Sequence, residues 1–476
     1  MKVKLKKFTE FNKQLLPNEA RYLASKENFL DVEKKAIFDL LISNCLNQIG
    51  FEEFDDSINK RKYSYIKNWV EKRIRAIDVD LTLEWLIDLK RKILTDAITA
   101  DDEAEFLGYL TQYKSIEFNF QTLYDLAREY KPYLLVRMRY NDHQIVSRFL
   151  EEFKGAYEQS MQVKDKLYHA TSAITDQYTL NNQETSHMES WLMDIFENET
   201  IDGKNRYQAF VLLAFMYTNY GENQKLEILF EKIDRFFSNG MMYSKRLLCN
   251  YYASRVLLHS KEGDFKKAEY FGYLSVRYEN NDTLMYVNNL VAILLRAHKA
   301  TEARRLLNKH VKLYQETHNY HQKIGYASYL IRTYIELGKA DLAISTAEIF
   351  LKKYNEDILK HRWHHFFTSY VSALVSQEKY GEVLKVSSKY HLEERENERK
   401  LKNNYVPNIA WSISLSRFME GKISSEVLLK EIKDPLVDIE ATSNQKELMA
   451  KVIEKLSKNL PEAFEKLKSH VLFESI

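Results

Sequence analysis

Apolar residues recur every three to four positions along most of this chain, the spacing of one buried helix face. Within residues 29–46, Val32, Ala36 and Leu40, with Ile37 and Leu41, mark such a face. Residues 57–77 carry Ile66, Val70, Ile74 and Ile77, with Tyr63 and Trp69 on the same stripe. Residues 80–94 turn Leu83, Leu86, Ile87 and Ile93 inward. Pro17, followed by Asn18 and Glu19, reads as a helix start. Thr99 and Asp102 have capping-box spacing, with aspartate in place of glutamate. The acidic run at 101–105 places negative charge in that helix's first turn, where the backbone dipole favours it. Lys131-Pro132 is expected to interrupt a further helical region. Residues 142–178 read as one or two long helices, and the polar stretch 180–185 as a boundary.

Between residues 208 and 389 a longer pattern recurs. A tyrosine or apolar position in one helix precedes a turn, and a small or apolar anchor follows it in a second helix. In GYASYLIRTYIELGKADLAISTAEIF, Tyr334 comes before Gly338, and Ala343 comes after it. The anchors are Leu226, Ala268, Ala303, Ala343 and Val383. Small anchors let the second helix approach the first closely, and a glycine after the first helix accommodates positive φ. Further on, helices are expected at 408–420 and 424–432, with Gly421 between them. Pro435 breaks the chain, and 444–458 and 461–471 read as amphipathic closing helices, which an array needs to cover its last apolar face.

The matching residues are Tyr217, Gly221 and Leu226; Gly263 and Ala268; Leu294 and Ala303; Tyr334, Gly338, Ala343 and Ala347; and Leu374, Tyr380 and Val383. On them the stretch resembles the tetratricopeptide repeat family. Its anchors lie somewhat farther apart than the ~34 residues of that unit. The family's mid-helix glycine is Ala214, Val256, Val291, Ile331 and Val371 here, and the terminal proline is absent. The resemblance implies an all-α, right-handed solenoid of helix pairs at 188–432. A helical N-terminal domain would occupy 1–180 and capping helices 436–476. It also implies a concave groove in which a peptide touches the first helix of each pair. Those positions fall on Asn250, Lys261, Asn288, Asn289, Arg296, Arg332, Glu336, His365 and Ser372. The family's carboxylate clamp for chaperone tails needs Lys and Asn in one repeat, Asn in the next, and Lys and Arg in the third. Asn289 fits the middle position, but Ala253, Leu257, Gly325 and Tyr329 depart from the rest, which argues against that ligand.

Composition narrows the class. At 476 residues the chain is too long for one compact core, so several domains or an elongated array are expected. Only 12 glycines and 5 prolines leave too few turn residues for a sheet protein. Seventy basic against 68 acidic side chains give a net charge of +2, unlike a general polyanion binder. The 32 tyrosines and 25 phenylalanines suit the gaps between helices. Cys45 and Cys249, far apart in sequence, fit a reducing cytoplasm better than a disulfide scaffold. The basic start MKVKLKKFTEFNKQLLP lacks a signal peptide's apolar core, and no apolar run reaches membrane length.

Candidate chemistry is sparse. The chain has no phosphate-cradling glycine loop, HExxH, CxxC or GxSxG, so no cofactor is expected. In HRWHHFF, His361, His364 and His365 have helical i, i+3, i+4 spacing. With Asp357 a turn earlier they form a candidate Zn²⁺ set, set against a role lining the repeat's first helix. The stretch KRKYSYIKNWVEKRIR, which begins at Lys60 and ends at Arg75, interleaves bases with aromatics and is the candidate nucleic-acid contact. Tyr63 and Trp69 within it are expected in the core. EERENERKLKNN alternates in sign and is expected as an exposed helix end or linker. The expected function is a non-enzymatic cytoplasmic scaffold holding a partner protein or peptide in its groove. The alternatives are a ligand-responsive regulator contacting nucleic acid through its N-terminal domain, and an enzyme with its active site in that domain.

Overall fold

A computed structural model describes residues 5–47, 50–180, 184–400, 405–436, 443–464 and 467. Their regular structure is all helical, with no strand among the described residues. None of their helices is long and apolar enough to cross a membrane. The chain forms two compact units, Met1–Leu258 and His259–Ile476. The expected boundary at 180–185 includes residues 181–183, which lie outside the described residues.

In the first unit, α1 (Lys6–Gln14), α2 (Pro17–Ser25), α3 (Val32–Leu46) and α4 (Lys60–Ile77) close around Phe8, Leu23, Phe38, Leu41 and Ile66. Helix α3 starts three residues later than its pattern suggests, because the Asp31 carboxylate accepts the Lys34 N–H (3.0 Å) and sets the N-cap there. Val32 is consequently exposed, and Ile37, Phe38 and Leu41 make the buried face. Next come α5 (Val79–Leu94), α6 (Ala100–Gln112), α7 (Phe120–Val136), α8 (Tyr140–Glu152) and α9 (Lys154–Leu180). Leu89, not Ile87, completes the α5 stripe; Ile87 faces solvent. The capping box of α6 forms: the Thr99 hydroxyl accepts the Asp102 N–H (3.2 Å), and the Asp102 carboxylate accepts the Thr99 N–H (3.0 Å). Lys131-Pro132 does not interrupt α7. Proline removes one ladder bond near the end of that helix, and buried Leu134 holds the last turn in place. Helices α10 (Glu189–Glu197), α11 (Gly203–Tyr220), α12 (Asn223–Ser238) and α13 (Lys245–Lys261) follow; the division between the units falls inside α13. Helix α5 packs on α7, α7 on α9, and α9 on α11.

The second unit contains α14 (Phe265–Ser275), α15 (Thr283–Arg296), α16 (Ala300–Lys309), α17 (Val311–Glu316), α18 (Tyr320–Glu336), α19 (Ala340–Asp357), α20 (Trp363–Val375), α21 (Tyr380–Tyr390), α22 (Leu392–Arg399), α23 (Asn408–Met419), α24 (Ser425–Lys433) and α25 (Ser443–Ser457). First helices touch both their own second helix and the next first helix. Thus α15 packs on α16 and α18, α18 on α19 and α20, α20 on α21 and α23, and α23 on α24. The small anchors Ala268, Ala303 and Ala343 are fully buried, as close helix approach requires. Of the expected closing helix at 461–471, only 461–464 and 467 are described.

One turn joins these pairs. Gly263, Gly338 and Gly421 have φ of 77°, 68° and 66°. Where the pattern lacks glycine, His298 and Glu378 adopt the same left-handed conformation, with φ of 58° and 56°. In each case the next N–H reaches the carbonyl five residues back: Lys299 to Leu294 (2.8 Å), Lys339 to Tyr334 (2.8 Å), Lys379 to Leu374 (3.0 Å). Met138 (φ 56°), with Arg139 N–H on the Leu134 carbonyl (3.0 Å), makes this turn between α7 and α8. The same left-handed turn therefore also occurs outside residues 208–389.

Between α19 and α20 the backbone is irregular. Tyr354 is non-helical (φ −129°, ψ 29°), Ile358–Arg362 forms a π-turn, and Arg362 has φ −146° and ψ 43°.

Candidate functional site

The first helices α15, α18 and α20 bring several polar side chains together. Arg332 of α18 donates from Nε to the Ser369 hydroxyl on α20 (2.7 Å), and its guanidinium lies 5.6 Å from the Tyr329 ring centre. Ser369 in turn donates to the His365 carbonyl (3.1 Å). No carboxylate pairs with Arg332 among the described residues. Burial depresses its pKa, and the charges of Arg362 and Arg296 depress it further.

Arg362 reaches this cluster because of the π-turn. Its Nη1 donates to the His321 carbonyl (3.1 Å). A Cβ on Gly325 would lie 3.0 Å from that Nη1 and 2.9 Å from Asn288 Nδ2, so both side chains fill the space a larger residue would take. Asn288 is 5 % exposed; its Nδ2 donates to the Gln322 carbonyl (3.0 Å), and its Oδ1 has no partner. Arg296 donates to the Ser260 hydroxyl (2.6 Å). Among the described residues, none of these three arginines meets an acidic side chain.

His365 sets its ring edge-on to Tyr329 (5.1 Å), and its Nε2 is buried without a partner. Burial first, then the charges of Arg332 and Arg362, hold its pKa well below the ordinary 6.5. His364 Nε2 lies 3.2 Å from Glu396, whose other oxygen accepts the Tyr405 hydroxyl (3.1 Å). Burial lowers the His364 pKa despite that carboxylate.

Of the residues expected to line a groove, Asn288, Arg296, Arg332 and His365 belong to this cluster, and half-buried Asn289 adjoins it on α15. The others make no hydrogen bond or ion pair with the cluster's side chains among the described residues. Asn250 lies in the first unit, where its Oδ1 accepts the Tyr207 hydroxyl (3.1 Å). Lys261 is exposed on α13, Glu336 is paired with Lys455 (2.8 Å), and Ser372 is exposed. The three candidate zinc ligands do not converge. His361 stacks on Tyr320 (5.9 Å) beside His321, whereas His364 faces Glu396 and His365 faces Tyr329. The π-turn and the non-helical Arg362 break the helical register that i, i+3, i+4 spacing assumes.

Sequence reasoning missed Arg362, Ser369 and Glu396. The first lay inside HRWHHFF, but a helical wheel run through it misplaces the side chain. The stretch EERENERKLKNN is not simply an exposed end: Glu396 is 2 % exposed, and residues 401–404 lie outside the described ones. On α4, Lys62 pairs with Asp31 and Glu33 (2.8 Å each), Tyr63 is buried, and Trp69 packs against the core, as expected for both aromatics. No family model, curated protein or solved structure matches the chain.

Proposed function

We propose that this chain is a right-handed helix-pair solenoid of tetratricopeptide-repeat type, acting in the cytoplasm as a non-enzymatic scaffold. Its ligand is an acidic peptide of a partner protein, held across α15, α18 and α20. The observation that carries this reading is the set of three arginines, Arg296, Arg332 and Arg362, clustered without any carboxylate among the described residues. Structural arginines are normally neutralised; a shared, partly desolvated positive site is better explained by an anion arriving from outside. The serial packing of first helices and the recurring turn support the repeat architecture. Asn288 and Asn289 add amide groups for a peptide backbone.

The test is co-purification from native cells, with wild-type bait and a bait carrying Arg296→Ser, Arg332→Ser and Arg362→Ser. A charge-assisted bond contributes about 1.5–3 kcal/mol, so a partner held here loses at least ~100-fold in affinity. Its retention also falls steeply with salt. An unchanged partner set on a folded triple variant refutes the reading. The regulator reading has less behind it, since Lys62 of α4 is already ion-paired and Tyr63 and Trp69 are committed to packing.

A further inference from the structure

A second feature of the same unit lies away from the arginine cluster. Helices α17, α18 and α19 line an open cleft of about 380 Å³, within the ~300–1,000 Å³ typical of small-molecule sites. Its apolar walls include Tyr314, Leu330, Ile349 and Phe350, and two lysines, Lys323 and Lys353, complete it. Tyr314 is held by stacking on Tyr326 (4.4 Å between ring centres, 15° between planes).

The lysines are the unusual part. Lys323 is only 9 % exposed, yet its ammonium has no hydrogen-bond acceptor and no carboxylate among the described residues. What it has is the face of Tyr354, 5.4 Å away. Lys353 lies 5.2 Å from the centre of the same ring, with no acidic partner among the described residues. Two cations on one aromatic ring leave this end of the cleft positively charged, with no counter-charge among the described residues. The break in helical geometry at Tyr354 occurs at this ring. Lys323 and Arg332 are nine positions apart on α18, which puts them on roughly opposite sides of the helix.

We propose that this cleft is a binding site for a small amphipathic anion. The aryl or short alkyl body lies against Leu330, Ile349 and Phe350, and one acidic head group takes its charge from Lys323 and Lys353 at the Tyr354 end of the cleft. The site is separate from the acidic-peptide face, and neither proposal depends on the other.

The probe is the aromatic sulfonate 8-anilinonaphthalene-1-sulfonate, titrated into the full chain by calorimetry and fluorescence. The uncharged N-phenyl-1-naphthylamine serves as its control. One saturable site per chain is expected. Lys323→Gln weakens sulfonate binding at least ~10-fold, consistent with loss of one charge-assisted contact. Lys353→Gln, at an exposed position, does the same to a smaller extent and guards against a misfolded Lys323 variant. Neither change alters binding of the neutral analogue, and Thr346→Trp, on the cleft wall, abolishes both. Absence of a saturable site overturns the proposal. So does wild-type sulfonate affinity in the Lys323→Gln/Lys353→Gln variant or in folded Thr346→Trp.

Discussion

Arg332→Met is expected to make the free protein more stable, against the usual direction for a mutation at a half-buried, hydrogen-bonded position. The substitution keeps the length and packing of the side chain and removes its charge. Lost are the hydrogen bond to Ser369, about 1 kcal/mol, and the contact with Tyr329, about 0.5–1 kcal/mol. Ser369 keeps its bond to the His365 carbonyl, so no buried donor is orphaned on that side. Gained is relief from two like charges, Arg362 and Arg296. Each repels by about 1–2 kcal/mol at an effective dielectric near 20, and the desolvation of a guanidinium without a counter-charge adds to this. The balance favours the variant by about 1–2 kcal/mol, or roughly 2–8 °C in melting temperature for a unit of this size. Calorimetric melts of both proteins at low and at 0.5 M salt check it. The gain must shrink in salt, because screening already relieves the repulsion in the wild type. A variant that melts several degrees lower at both salt concentrations shows that Arg332 is a structural strut, and the arginine cluster then loses its meaning as a vacant anion site. A trade of stability against binding of this kind is what a preorganised charged site entails.

Other outcomes follow from the same geometry. Because the folded pKa values of His364 and His365 lie below the ordinary 6.5, their contribution to stability is complete above pH ~6.5 and is lost as pH falls below it toward the folded values. His365→Phe, which removes the group facing Arg332, Arg362 and His364, flattens the fall in urea midpoint between pH 6.5 and 5. In the first unit the buried Glu19 carboxylate accepts the Tyr243 hydroxyl and the Leu16 N–H (2.7 Å). Glu19→Ala strands both donors and lowers unfolding free energy by about 2–4 kcal/mol in urea titrations, with Glu19→Gln milder. At the turns, His298→Gly and Glu378→Gly relieve left-handed strain and stabilise by about 0.5–1 kcal/mol. Gly338→Ala destabilises by about 1–2 kcal/mol, and thermal melts of the three variants rank them.

Much of the architecture was legible before any coordinates. Apolar periodicity is a local property, so Tyr63, Ile66 and Val70 of α4, and the Ala303 and Ala343 anchors, could be placed in the core by spacing alone. Thr99 with Asp102 satisfies backbone groups within its own turn, which is why that cap was readable. The Met138 turn was hidden, because left-handed backbone costs a non-glycine residue only about 1–2 kcal/mol and leaves no mark in composition.

The sequence by itself determined the helices, their inward faces and the glycine-marked turns, since each depends on residues within a few positions of one another. Which charges share a site was decided only by the tertiary structure. Arg332 meets Arg362 because a π-turn rotates the chain before α20, and Glu396 is buried because α22 turns it toward His364 and Tyr405. Lys323 and Lys353 meet over Tyr354 from two different helices. Charge clustering depends on where distant segments end up in space, and no periodicity along the chain encodes that distance.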